Sequence, residues 1–241
     1  MVRLTWDDDQ VLVVTLDRPE RRNAVDHATL LGLLDAQQAA TGARVLVLTG
    51  TPPAFSAGAD LTGVEEGDFA RTLNEALRGF TELPIPTIAA IDGPALGAGT
   101  QLAVSCDLRV ATPSSVFGIP AARLGLVVDH WTVERLAREL GWPVARAMLV
   151  AAADYKAAEL HASGGVHRLG DLHDALAWAH RLAAFAPLTM AAHKLALERS
   201  SPPPAADSSF EAARLAAWRS ADAVEGRQAF LDKRPPRFTG T

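Results

Sequence analysis

The chain has 241 residues, 49% of them hydrophobic and 21% charged, a balance that excludes wholesale disorder. Lys and Arg number 23 against 28 Asp and Glu, a net charge of −5, so the basic surplus expected of a nucleic-acid binder is missing. Its single cysteine, Cys106, excludes an internal disulfide and fits a cytoplasmic protein; no apolar run, signal-peptide pattern, CxxC, HExxH or GxxxxGK[ST] points to an integral membrane segment, a leader, a metal or a P-loop.

In chain order, Val2–Trp6 and Val11–Asp17 predict two strands joined at Asp8-Asp9-Gln10, with Arg18-Pro19 ending the second. A helix follows over His27–Ala40, capped by Asp26, with Leu30, Leu33 and Leu34 on one face. Arg44–Thr49 is an apolar run that reads as a buried strand, and Gly50–Gly67 is a loop rich in Gly, Pro and Thr. Asp68–Leu83 has helical spacing, and Pro84 and Pro86 stop it. Thr87–Ile91 predicts another buried strand, Asp92-Gly93-Pro94 a turn, Gly97–Cys106 a helix of small residues, and Leu108–Ala111 and Val116–Gly118 short strands.

From Trp131 onward the pattern is mainly helical: Val133, Leu136, Ala137 and Leu140 recur at i, i+3, i+4 and i+7. Helices are expected at Pro143–Ala153, Ala157–Ser163, Asp171–Phe185, Leu188–Ser200, Asp207–Ser220 and Asp222–Asp232, with Pro202-Pro203-Pro204 as the clearest linker. Mixed strands and helices followed by helices alone predict an α/β core, residues 1–187, and a helical C-terminal region, residues 188–241.

Two segments carry the chemistry: Pro53–Leu61 (PAFSAGADL) and Ile88–Ala111 (IAAIDGPALGAGTQLAVSCDLRVA). Both put small residues in a turn, where a ligand can approach the backbone. The second feeds a helix N-terminus, whose free N–H groups form the positive end of the dipole. Two such groups converging on one point make an oxyanion hole, suited to a thioester carbonyl that becomes an enolate. The same glycines also suit a tight turn with no ligand. Gly97-Ala98-Gly99 does not open a dinucleotide fingerprint, because Leu102 occupies the third glycine position.

These two loops resemble the hallmark loops of the enoyl-CoA hydratase/isomerase (crotonase) superfamily. Arg18–Val25 (RPERRNAV) is similar to that family's first CoA-contact loop, and Glu225–Phe238 (EGRQAFLDKRPPRF) to its C-terminal signature. The resemblance implies a crotonase (ClpP-like) spiral of ββα units with a helical C-terminal trimerisation region, assembled as a homotrimer or dimer of trimers. It places oxyanion donors at the N–H groups of Ala59 and Ala98, and lays coenzyme A, part of the thioester ligand, along Arg21–Ala24 and Ala57–Leu61, including Asp60. Arg18, Arg21, Arg22, Lys233, Arg234 and Arg237 are the candidate cations for its phosphates, each equally readable as a solvated charge.

The catalytic pattern fails where the family's hydratases carry two glutamates. Those positions are Gln101 and Ala121 here. An amide is no useful base near neutral pH, a methyl is none at all, and each acid/base group is typically worth about 10²–10⁴ in rate. Asp129 stands where dienoyl-CoA isomerases of the family place a catalytic Asp; it reads equally as a helix cap. His130 is a candidate proton shuttle or a packed side chain beside Trp131, and Cys106 a small core residue. The expectation is a protein that binds fatty acyl-CoA or enoyl-CoA without standard hydratase activity, as in a mycobacterial-type subgroup it resembles. The alternatives are an active hydratase or isomerase using Asp129 or His130, and a non-catalytic interaction scaffold. Acyl-chain length would depend on the Glu65–Phe80 helix.

Overall fold

The computed structural model describes residues 1–8, 10–62, 67–200 and 207–240. Pro202-Pro203-Pro204 and Glu65, the first residue of the expected pocket helix, lie outside them. In chain order the elements are β1 (Val2–Asp7), β2 (Val11–Leu16), α1 (His27–Ala39), β3 (Val45–Gly50), α2 (Asp68–Glu82), β4 (Thr87–Ile91), β5 (Pro94–Leu96), α3 (Ala98–Ser105), β6 (Leu108–Ala111) and β7 (Val116–Gly118). There follow α4 (His130–Leu140), α5 (Trp142–Val150), β8 (Asp154–Lys156), α6 (Ala157–Ala162), β9 (Arg168–Leu169), α7 (Leu172–Ala183), α8 (Pro187–Ser200), α9 (Ser208–Arg219) and α10 (Ala221–Leu231). The chain divides into two compact units, one comprising Met1–Phe117 and Tyr155–Pro202, the other Gly118–Asp154 and Pro203–Thr241.

The first unit is built on a six-stranded sheet in the order β1-β2-β3-β4-β6-β9. Only β1 and β2 pair antiparallel; the other neighbours are parallel. Parallel strands need cover on both faces, and every residue of β2, β3 and β4 is buried. On one face Val11, Val13, Val45, Val47, Ile88, Ala90 and Val110 pack against Ala175, Ala179 and Ala183 of α7. Small residues at those three positions let α7 lie close to the sheet. α1 packs on β1 and β2, α2 on α1, and α3 on β4 and β6. Asp26 caps α1 as expected, accepting from the Thr29 N–H at 2.8 Å.

A second, three-stranded sheet has the order β5-β7-β8. β5, β8 and β9 are strands that the reading of a turn at Asp92-Gly93-Pro94 before the helix at Gly97–Cys106, and of a mainly helical chain after Trp131, did not include. Each has only two or three residues, too few to show an alternating pattern. α5 also stops at Val150 rather than Ala153; Ala152 has φ +48°, which a helix cannot contain.

Within the second unit, α10 packs on a 3₁₀ turn at Pro120–Leu124. Leu124 backbone lies so close to Gly226 that a Cβ there would fall 2.9 Å from the Leu124 Cα. The Trp218 indole donates to the Val127 carbonyl at 2.8 Å, tying α9 to the segment before α4.

Candidate functional site

Two loops meet in the first unit at a pair of glycines. Gly58 has φ +104° and Gly97 φ +52°, conformations that side chains rarely adopt. A Cβ on Gly58 would lie 2.9 Å from the Leu96 carbonyl oxygen, and one on Gly97 3.7 Å from the Gly58 Cα. The backbones therefore touch, and Ala59 and Ala98 each follow the point of contact by one residue.

The direction of the Ala59 N–H follows from its neighbours. Val25 donates to the Gly58 carbonyl at 2.7 Å and accepts from the Asp60 N–H at 2.8 Å. In extended backbone, successive groups point to opposite sides, so the Ala59 N–H is turned away from Val25. Ala98 opens α3, where the N–H lacks an intrahelical partner. Among the described residues neither N–H meets a backbone acceptor. Ala98 is buried and Ala59 half-buried.

The loop Arg21–Ala24 runs beside Ala57–Leu61. Ala57 donates to the Arg22 carbonyl at 2.9 Å, and Val25 and Ala59 form a parallel bridge, which brings Arg21–Ala24 alongside Ala57–Leu61. Arg18 is committed within this region: its guanidinium reaches the Ala24 carbonyl at 2.6 Å, Asp26 at 3.0 Å and Asp60 at 3.2 Å. The Thr62 hydroxyl, partly opposed by burial and aided by the Thr62 N–H and Arg18, holds the Asp60 carboxyl below its usual value. Arg21 and Arg22 are exposed.

Gln101 is buried on the second turn of α3, three residues after Ala98. The remaining candidates belong to the second unit. Ala121 sits in the 3₁₀ turn, its carbonyl accepting from Leu126 N–H. Asp129 caps α4 by accepting from the Thr132 N–H at 2.9 Å. His130 stands 3.8 Å from the Glu134 carboxylate, and its ring is 5.0 Å from that of Phe210. In the C-terminal segment Arg234 forms a two-pronged pair with Glu225 at 2.6 and 2.9 Å, while Lys233 is exposed. Arg234 and the Arg237 N–H push the Glu225 carboxyl down to about 2. Among the described residues no cluster of His, Cys, Asp or Glu could hold a metal, and no helix is long and apolar enough to cross a membrane.

Sequence reasoning passed over three buried polar residues that shape the first unit. Asn23, Arg109 and Lys194 are 2%, 1% and 8% exposed. Arg109 donates to the carbonyls of Cys106 and Gly165 at 2.9 and 2.7 Å, so a cation sits at the C-terminal end of α3, where the helix dipole favours it. Lys194 donates to Phe80, Ile85 and Asp107. An arginine inside the apolar strand Leu108–Ala111 was the readable signal for Arg109; Asn23 lay unremarked within RPERRNAV.

The family model for enoyl-CoA hydratase/isomerase matches residues 7–241. Over 235 residues the chain is 40% identical to "Probable enoyl-CoA hydratase echA6" of Mycobacterium tuberculosis, covering 96% of this chain and 97% of that protein. It is 36% identical to the 2,3-dehydroadipyl-CoA hydratase of Escherichia coli, covering 96% of each. Among solved structures, methylmalonyl-CoA decarboxylase superposes with a TM-score of 0.91 at 25% identity, covering 100% of this chain and 98% of that one. An enoyl-CoA hydratase from Mycobacterium avium subsp. paratuberculosis superposes with 0.87 at 26%, covering 99% and 98%. The fold of these proteins is the crotonase α/β fold that the two loops led us to expect.

Proposed function

Since the chain belongs to the enoyl-CoA hydratase/isomerase family, we propose that it binds fatty acyl-CoA or enoyl-CoA thioesters through the N–H groups of Ala59 and Ala98 and does not perform standard hydration. The observation that carries this reading is the backbone contact between Gly58 and Gly97, one residue before two N–H groups that meet no backbone acceptor among the described residues. Two donors on one carbonyl oxygen stabilise the charge that gathers there as an enolate forms. Coenzyme A lies along Arg21–Ala24 and Ala57–Leu61, with Arg21 and Arg22 as the phosphate cations of this unit, since Arg18 is held by carboxylates. The protein acts in the cytoplasm as a homotrimer or dimer of trimers; exposed Leu188 and Leu197 on α8, and Val224 and Phe230 on α10, are the apolar surfaces such an assembly would cover.

Gln101 and Ala121 supply no carboxylate, so neither end of a hydration step has its acid or base. The test is calorimetric titration with an acyl-CoA and with free CoA. Ala98→Pro removes one donor while keeping a residue well tolerated at the first position of a helix. The expected result is loss of the preference for acyl-CoA over CoA, by about tenfold for one hydrogen bond of roughly 1.4 kcal/mol. An unchanged preference in the folded variant refutes the assignment.

A second reading is favoured by the superposition on methylmalonyl-CoA decarboxylase together with the missing carboxylates. An enolate also forms without any base when a 2-carboxyacyl thioester loses carbon dioxide. The bond to the carboxylate breaks, its electron pair enters the thioester as the enolate, and the α-carbon then takes a proton from water. Incubation with methylmalonyl-CoA decides it: release of carbon dioxide supports this chemistry, and none removes that substrate.

A further inference from the structure

Asn23 is bonded to the loop that carries Gly58 and uses every polar group it has. Its amide nitrogen donates to the carbonyls of Thr51 and Ala54 at 2.8 and 2.7 Å, and its amide oxygen accepts from the Arg18 N–H at 2.9 Å. Its backbone N–H donates to the Arg18 carbonyl at 2.9 Å, and its backbone carbonyl accepts from the Ser56 hydroxyl at 2.8 Å. The residue is 2% exposed and has φ +54°, in the left-handed region that Asn tolerates better than other side chains. Reversing the amide would turn its oxygen toward two carbonyls, so the orientation is fixed.

From Asn23 a short path runs to each donor. Ser56, held by Asn23, donates its N–H to the Pro94 carbonyl and accepts from the Leu96 N–H, which locks it beside β5. Ala95 of that strand accepts from the Thr100 hydroxyl at 2.6 Å, which fixes the first turn of α3 and hence Ala98. In the other direction the segment Asn23–Val25 carries the Val25 bridge that sets Ala59. Arg18 closes the same clamp, joining Ala24 and Asp26 to Asp60 across the two loops.

We infer that Asn23 is a positioning residue for the thioester site, one that aligns the Ala59 and Ala98 N–H groups through Ser56 and Val25 without touching the ligand. The inference rests on the thioester-binding reading proposed above. It assigns to Asn23 a role in polarising the carbonyl, beyond folding the loop. Arg18 serves the same clamp through its two ion pairs.

The test uses octanoyl-CoA labelled with ¹³C at the thioester carbon, observed by NMR when bound to the full chain. Wild-type protein moves the carbonyl resonance downfield of its free position. Asn23→Asp sets carboxylate oxygens against two carbonyls; should it not fold, Ser56→Ala removes the hydroxyl that donates to Asn23 and accepts from the Gly58 N–H. The expected result in either folded variant is a resonance returned toward the free position, with affinity for octanoyl-CoA about tenfold weaker. Leu33→Ala, a destabilised variant in the core of α1, keeps the downfield resonance. A wild-type resonance in both clamp variants overturns the role of Asn23 and leaves the thioester reading standing. A wild-type protein that binds the ligand with an unmoved resonance overturns both.

Discussion

Gly99→Ala separates steric from intrinsic effects with opposite signs. In an unconstrained helix interior, Gly to Ala is stabilising by about 1 kcal/mol. Here a Cβ on Gly99 would lie 2.5 Å from the Ser56 carbonyl oxygen and 3.0 Å from the Ser56 Cβ. Carbon and oxygen approach no closer than about 3.3 Å, so α3 and the Ser56 loop must part by about 0.8 Å. Ser56 is held by Asn23, Pro94 and Leu96, and cannot yield alone. Overpacking of this kind costs about 1–3 kcal/mol, which outweighs the helical gain. Urea denaturation of Gly99→Ala therefore gives a lower midpoint at unchanged slope, and the displaced Ala98 N–H weakens acyl-CoA binding more than CoA binding. A variant as stable as wild type or more so, with acyl-CoA affinity intact, would show that the two loops are not in the contact described.

Lys194→Met leaves Asp107 and the carbonyls of Phe80 and Ile85 without their shared ammonium, at a cost of about 3–5 kcal/mol. For a chain of this length that lowers Tm by very roughly 6–20 °C, and an unchanged Tm would refute the buried pair. Glu225 has a folded-state value near 2 against an ordinary 4.5, so its contribution is complete above about pH 4.5 and is lost as pH falls toward 2. Hydrogen-exchange protection of the Arg237 N–H, which donates to Glu225, should weaken over that window and be absent at every pH in Glu225→Ala. Protection that persists undiminished at pH 2 would contradict it. Asp129→Ala should cost α4 stability through its cap by about 1 kcal/mol, measured by thermal unfolding; a much larger loss would place it in a network rather than a cap.

The sheet was legible because β2, β3 and β4 are continuous apolar runs that parallel pairing buries on both faces. Helix starts were legible where an Asp precedes them, as at Asp26, Asp129 and Asp171. β5, β8 and β9 were not, because strands of two or three residues owe their conformation to the neighbour they pair with. Within the site, the two small-residue loops announced themselves through glycines at positive φ. The clamp beneath them did not: Asn23 meets partners 28 and 31 residues away, and Arg18 meets Asp60 across 42. Nothing local marks a residue whose role is to join distant loops. The same holds for the pairing of Arg234 with Glu225, nine residues earlier in the chain.

The measurement that bears most directly on the account is the ultraviolet spectrum of crotonyl-CoA mixed with a stoichiometric excess of the protein, followed over time. Polarisation of the conjugated thioester by the Ala59 and Ala98 N–H groups shifts its absorbance to longer wavelength, and with Gln101 and Ala121 in place of carboxylates the shifted band then persists. Rapid bleaching of the band would mean that water adds to the double bond and that the protein hydrates after all. A spectrum identical to that of the free thioester would contradict the donor pair itself.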